Sequence, residues 1–199
     1  MYDGKQAFRE RGGEESLYKN IIAVTNRRLC TRPFDEQLRR VCGVRPKAVI
    51  LREKDLSSEE YLRLAGKAAE ICGESGIPLI LHTFSGAARK LGIKRIHMPL
   101  SVLRSCGADG FETVGVSVHS ADEALEAERA GASYVTAGHI FATSCKPGLT
   151  PRGTELIRNI RNASDIKIYA IGGITLENLP LVMECGAAGG CIMSGMMNI

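Results

Sequence analysis

The chain has no tryptophan, and its 199 residues include only five tyrosines and five phenylalanines. Few aromatic faces are therefore available for base stacking, and a net charge of only +4 is dispersed along the chain. Neither feature fits a nucleic-acid binder. No run of about eighteen apolar residues occurs, so no membrane span is expected. None of the seven cysteines falls in a C-x-x-C pair, which argues against a structural zinc site, and their odd, scattered placement argues against a disulfide framework. The first twenty residues mix Lys5, Arg9, Glu10, Arg11, Glu14 and Glu15 with no apolar core, so they do not read as a secretory signal. A cytoplasmic location with reduced thiols is expected. A small anionic ligand suits the mild positive charge better than a macromolecule does.

What the chain does have is enough apolar content, 44%, to fill one core, and a regular alternation of short apolar runs with helical periods. Strands are expected near Ile21–Thr25, Ala48–Leu51, Leu79–His82, Ile96–Met98, Thr113–Val118, Tyr134–Ala137, Ile166–Ile171 and Gly190–Met193. Eight such units are what a single α/β domain of the closed (β/α)8, or TIM-barrel, class needs. A helix is expected after the S-x-x-E box of Ser57 and Glu60, because Tyr61, Leu64, Ala65, Ala68, Ala69 and Cys72 share one face. Others are expected near Phe34–Cys42, Ala121–Ala130, Thr150–Ile160 and Leu176–Cys185, with the third and fourth short and with Thr150-Pro151 and Thr175 as starts. The chain ends six residues after the eighth expected strand, so a final helix is nearly absent. An N-terminal extension over residues 1–20, followed by a barrel over 21–199, is expected to cover that flank or to pack across a homodimer interface.

The segment from Val114 to Gly153 carries the densest chemistry. Two apolar runs end in His119 and His139, joined by a helix that opens on a second S-x-x-E box, Ser120 and Glu123, and stops at Gly131. After His139 comes a loop with Cys145, Lys146 and Gly148. Cys145 is a thiol activated by the neighbouring cation or a plain thiol, and Lys146 is an anion clamp or a mobile surface charge. The four histidines, His82, His97, His119 and His139, lie at strand ends, where each is a proton carrier, a metal ligand or a packed hydrogen-bonding residue. Alternation along Ile50–Asp55 puts Arg52 and Lys54 on one side, facing an anion or neutralised by Glu53 and Asp55. The Gly172-Gly173 turn ends one strand and opens a helix, and Met193-Ser194-Gly195 follows the next. Each alone is equally a tight connection, but together after strands seven and eight they form the usual phosphate site of this architecture.

These residues resemble the thiamine phosphate synthase-like barrels, over about Ile21 to Gly195, and within them the thiazole tautomerase (TenI-type) branch. The likeness is carried by Ser117-Val118-His119-Ser120, Gly138-His139-Ile140-Phe141, Thr143, Cys145-Lys146, Gly148-Leu149, Arg152-Gly153 and the two glycine-rich turns. Leu51-Arg52-Glu53-Lys54 is shared with the synthases as well. A synthase joins a pyrimidine diphosphate to a thiazole phosphate and needs magnesium held by carboxylates, an Asn-Asp pair after the third strand and an Asp after the fourth. Here those places read Leu81-His82-Thr83 and His97-Met98-Pro99-Leu100-Ser101-Val102, with no carboxylate. The tautomerase branch implies a cofactor-free isomerase that aromatises a thiazole carboxylate phosphate. In it His139 is the acid and base, Gly172, Gly173, Met193, Ser194 and Gly195 lie at the phosphate, and Arg52, Lys54 and Lys146 are available for the carboxylate. Ser117 and His119 would shape the pocket. The alternatives are a magnesium-dependent thiamine phosphate synthase and a non-catalytic regulatory binder of a phosphate ligand.

Overall fold

The computed structural model describes residues 17–143 and 148–199. Eight parallel strands close into a barrel: β1 (Ile21–Val24), β2 (Ala48–Leu51), β3 (Leu79–His82), β4 (Arg95–Pro99), β5 (Thr113–Val118), β6 (Tyr134–Gly138), β7 (Lys167–Ile171) and β8 (Gly189–Ile192), with β8 pairing back onto β1. The expected (β/α)8 class is the observed one. Strands buried on both faces read as continuous apolar runs, as in Ile21-Ile22-Ala23-Val24 and Ala48-Val49-Ile50-Leu51. Inside the barrel Ile22, Val24, Ile50, Ile80, Tyr134, Tyr169 and Cys191 fill the axis. The alternate residues, among them Ala23, Val49, Leu51, Leu81 and Val116, face the helices.

The helices among the described residues are α1 (Phe34–Gly43), α2 (Ser58–Glu74), α3 (Ser85–Lys90), α4 (Leu100–Cys106), α5 (Ala121–Arg129), α6 (Glu155–Ala163) and α7 (Leu179–Glu184). The Ser57–Glu60 box forms in both directions and starts α2 as expected. From α2, the buried Tyr61 hydroxyl donates to the Leu51 carbonyl (2.6 Å) and accepts from the His82 N–H (3.0 Å), tying together the upper ends of β2 and β3. Gly115 on β5 is required by packing, because a Cβ there would lie 2.1 Å from the Tyr134 ring.

Two helices start later than expected. The Arg152 and Gly153 N–H groups donate to the carbonyls of His139 and Ile140, both at 3.0 Å, so this stretch lies along the end of β6 and α6 begins at Glu155 rather than Thr150. Thr175 and Asn178 exchange side-chain bonds with each other's N–H, and Pro180 brings no N–H, so α7 begins at Leu179 rather than Leu176.

The flank beside β8 is occupied by a 3-10 turn, Met196–Asn198, whose Met196 and Met197 are buried against the core. Gln37 Nε2 on α1 donates to the Met196 carbonyl (2.8 Å), and Arg32 donates to the Ile199 carbonyl (2.6 Å). Of the N-terminal extension, residues 1–16 lie outside the described residues. Leu17 to Asn20 form a turn from which the Asn20 carbonyl accepts the Gly190 N–H (3.0 Å). Among the described residues no helix is long and apolar enough to cross a membrane.

Candidate active site

A cavity of about 810 Å³ opens at the C-terminal ends of the strands, where this architecture places its sites. Arg52 and Lys54 line it after β2, Ser117 and His119 after β5, and His139 after β6. Gly172 and Gly173 after β7, and Met193, Ser194 and Gly195 after β8, complete the wall. Every expected site residue that is described thus faces one space. Lys146 and Cys145 lie outside the described residues.

Strand alternation separates the charges at the end of β2. Glu53 is buried and turns away from the cavity, accepting from the Thr25 hydroxyl (2.7 Å), the Arg27 N–H (3.0 Å) and the Arg27 guanidinium (3.1 Å). Asp55 also pairs with Arg27, and with Arg28 at 2.9 Å. Among the described residues the printed ion pairs of both carboxylates go to Arg27 and Arg28, and neither forms one with Arg52. The Arg52 N–H donates to Thr25 Oγ1 (3.0 Å), and that hydroxyl is held in turn by Glu53. Glu53→Gln replaces an acceptor by a donor facing buried donors and is expected to lower stability by about 2–3 kcal/mol. A chemical denaturation midpoint equal to that of the parent protein would contradict this role.

Three of the four histidines are buried, His82, His97 and His139, and His119 is exposed. His97 is enclosed, with Nδ1 at 3.2 Å from the Tyr134 hydroxyl and Nε2 at 2.9 Å from Ser117 Oγ. Thr136 Oγ1 donates to Ser117 Oγ at 3.3 Å, so a polar chain runs from the cavity wall down to His97 and Tyr134. His82 lines the cavity with Nδ1 at 2.8 Å from Thr83 Oγ1. Burial pushes both rings down to about 3, helped for His82 by Arg52 and Lys54 and for His97 by His82 and Arg52. Both are therefore neutral structural groups near neutral pH. An unfolded histidine titrates near 6.5, so between about pH 6.5 and 3 the unfolded chain binds more protons than the folded one. Stability is lost as pH falls through that window, by up to about 1.4 kcal/mol per unit for each ring. His82→Asn is expected to flatten the fall in melting temperature between pH 6.5 and 4. Equal slopes in variant and parent would remove His82 from the account.

His139 is placed differently. Its Nε2 lies 3.2 Å from the Leu149 carbonyl, and a carbonyl only accepts, so Nε2 carries the hydrogen. In the neutral ring Nδ1 then holds the lone pair. The following strand end must come very close: a Cβ on Gly172 would lie 2.3 Å from the His139 Cβ, and Gly172 adopts a φ of +96°. Glycine is the residue that allows this approach. The Gly173 carbonyl is fixed by Asn178 Nδ2 at 2.8 Å. The sequence suggests that the Gly172-Gly173 turn opens a helix, but Thr175 and Asn178 intervene before α7, so the turn presents glycine backbone to the cavity and not a helix N-terminus.

Sequence reasoning missed three contributors. Thr136, which lines the cavity, was findable because it alternates with Tyr134 and Gly138 on β6. Thr175 is a further lining residue. The Leu149 carbonyl is a backbone group and leaves no side-chain signal. As for a metal, Glu177 is the one carboxylate lining the cavity among the described residues, and it is exposed. No group of three His, Cys, Asp or Glu that could hold a metal ion occurs among the described residues. A hard cation such as magnesium binds through oxygen ligands, so this donor set does not fit it.

Residues 21–196 match the family model described as TMP-TENI, thiamine monophosphate synthase. The chain is 37% identical over 156 residues to the thiamine-phosphate synthase of Clostridium acetobutylicum, covering 75% of this chain and 73% of that protein. It is 32% identical over 186 residues to that of Syntrophomonas wolfei, covering 89% and 88%. The solved thiamine phosphate pyrophosphorylase of Pyrococcus furiosus matches with a TM-score of 0.77 at 25% identity, covering 92% of this chain and 88% of that one. These relatives bear synthase names, so the likeness reaches the family and, by name, the transferase, rather than the tautomerase branch singled out from the sequence.

Proposed function

We propose, because the chain belongs to the TMP-TENI family of thiamine biosynthesis, that it is the branch of that family which aromatises a thiazole carboxylate phosphate, with His139 as the single acid and base. The observation that carries this reading is the cavity wall itself. It presents His139, an imidazole with a defined lone pair, beside glycine-rich turns, Arg52 and Lys54, with Glu177 the one lining carboxylate among the described residues.

In the substrate a hydrogen sits on the ring carbon bearing the carboxylate, and a double bond lies outside the ring. Nδ1 of His139 takes that hydrogen as a proton while its electron pair enters the conjugated system. The imidazolium so formed keeps its Nε2–H on the Leu149 carbonyl and returns a proton from Nδ1 to the exocyclic carbon. The double bond moves into the ring, which becomes aromatic, and the enzyme ends as it began. Arg52 and Lys54 stabilise the charge that builds next to the carboxylate, with Arg52 suited to bidentate pairing. Gly172, Gly173, Ser194 and Gly195 anchor the phosphate, so the reacting carbons are held against His139. A positioned proton carrier of this kind contributes about 10²–10⁴-fold, and aromatisation supplies the driving force.

The relatives' names favour a second reading, transfer of a pyrimidine group onto a thiazole phosphate with loss of pyrophosphate. That reaction needs magnesium, for which the described residues are a poor donor set. The purified protein given the non-aromatic thiazole carboxylate phosphate is expected to form the aromatic chromophore at the same rate with or without a chelator. Given pyrimidine diphosphate, thiazole phosphate and magnesium, it is expected to form no thiamine phosphate. The reverse pattern would establish the transferase.

A further inference from the structure

We propose that His119 is a positioning residue for His139, acting through the Gly138 carbonyl rather than on the substrate. The proposal rests on His139 being the proton carrier. In the β5–β6 ladder Val118 lies opposite Ala137, so His119, just past the end of β5, comes beside Gly138, the last residue of β6. His119 Nδ1 sits 2.7 Å from the Gly138 carbonyl oxygen. That oxygen only accepts, so Nδ1 is the donor whatever the charge on the ring.

An exposed imidazole loses this bond to rotation unless its backbone is held. Here the His119 N–H donates to Glu123 Oε2 at 2.6 Å. In an ordinary capping box the Glu123 carboxylate would return to the N–H of the cap residue, Ser120. The Ser120 hydroxyl does accept the Glu123 N–H (3.1 Å), but the carboxylate reaches one residue further back and fastens His119 instead. On its other side the Gly138 peptide is wedged against β7: a Cβ on Gly138 would lie 2.4 Å from the Ile171 carbonyl oxygen.

Three bonds then fix His139: His119 to the carbonyl before it, the Arg152 N–H to its own carbonyl (3.0 Å), and its Nε2–H to Leu149. The first is the one made by another residue's side chain, and so the one that substitution can remove cleanly. The rival role for His119, a second proton carrier, is separable because asparagine places an N–H donor the same number of bonds from Cα as Nδ1 but neither takes up nor releases a proton near neutral pH.

The test compares His119→Leu with His119→Asn by steady-state kinetics on the thiazole substrate and by imidazole ¹⁵N and ¹³C shifts of His139. Loss of alignment is expected to lower kcat of the leucine variant about 10- to 100-fold with KM within about twofold. Asparagine is expected to recover at least about tenfold of that loss, and the His139 Nε2–H signature is expected to weaken in the leucine variant alone. Equal loss of kcat in both variants overturns the proposal in favour of a proton carrier. A rise in KM at unchanged kcat overturns it in favour of a substrate contact, and an unchanged His139 signature in the leucine variant overturns it outright. The spectroscopic arm needs no turnover, so inactivity of the parent protein would refute the proposed reaction while leaving the clamp to be judged on the shifts.

Discussion

His139→Asn lowers turnover of the non-aromatic thiazole phosphate by about 10²–10⁴-fold, the span that a positioned general acid and base contributes. Binding of the aromatic product stays within about threefold, because phosphate and carboxylate are held by other residues. Asparagine retains a hydrogen-bonding side chain but cannot shuttle a proton. The other cavity histidines do not substitute for the loss. His97 is enclosed beneath the floor, and His82 is held neutral by burial and by Arg52 and Lys54. His119 has its Nδ1–H committed to the Gly138 carbonyl. Calorimetry and steady-state kinetics on one preparation check both halves, and a variant retaining more than about a tenth of parental kcat would remove His139 from the role.

Gly172→Ala is expected to damage fold and site together. Its φ of +96° strains any L side chain, and the added methyl would lie 2.3 Å from the His139 Cβ and 2.7 Å from its Cα. Left-handed strain of about 1–2 kcal/mol and overpacking of about 1–3 kcal/mol combine to about 2–5 kcal/mol. For a domain of this size that corresponds to a melting temperature lower by about 5–15 °C. The backbone yields by moving His139 or the phosphate turn, so activity in the surviving folded fraction falls about 10²-fold. A variant that melts with the parent protein and turns over normally would mean that the close approach of β7 to His139 is not needed.

The barrel was legible because each strand is a short apolar run bounded by turn residues, and a parallel barrel buries both faces of every one. The Ser57–Glu60 box was legible for the same local reason: both halves of the motif lie within one helical turn. Boundaries failed where a tertiary bond outcompeted a local signal. Thr150-Pro151 has the look of a helix start, yet the next two N–H groups are taken by the carbonyls of His139 and Ile140. Alternation correctly grouped Arg52 with Lys54, but it could not say that Glu53 turns away to hold Arg27 and Thr25. The four histidines are indistinguishable by spacing; three are buried, and what sets His139 apart from His82 and His97 is its Nε2–H bond to a backbone carbonyl. The Leu149 carbonyl, which sets the His139 tautomer, is invisible to any reading of side chains.

The most direct measurement follows one hydrogen through a single turnover. A substrate carrying deuterium on the carboxylate-bearing carbon is mixed with excess enzyme in ordinary water, and the product is examined by mass spectrometry and ²H NMR. His139 is only 6% exposed, so an imidazolium there exchanges with solvent slowly enough to return part of what it took. Deuterium is therefore expected on the formerly exocyclic carbon of the aromatic product. Its complete loss to water, with the new hydrogen drawn wholly from solvent, would contradict transfer by a single shielded carrier.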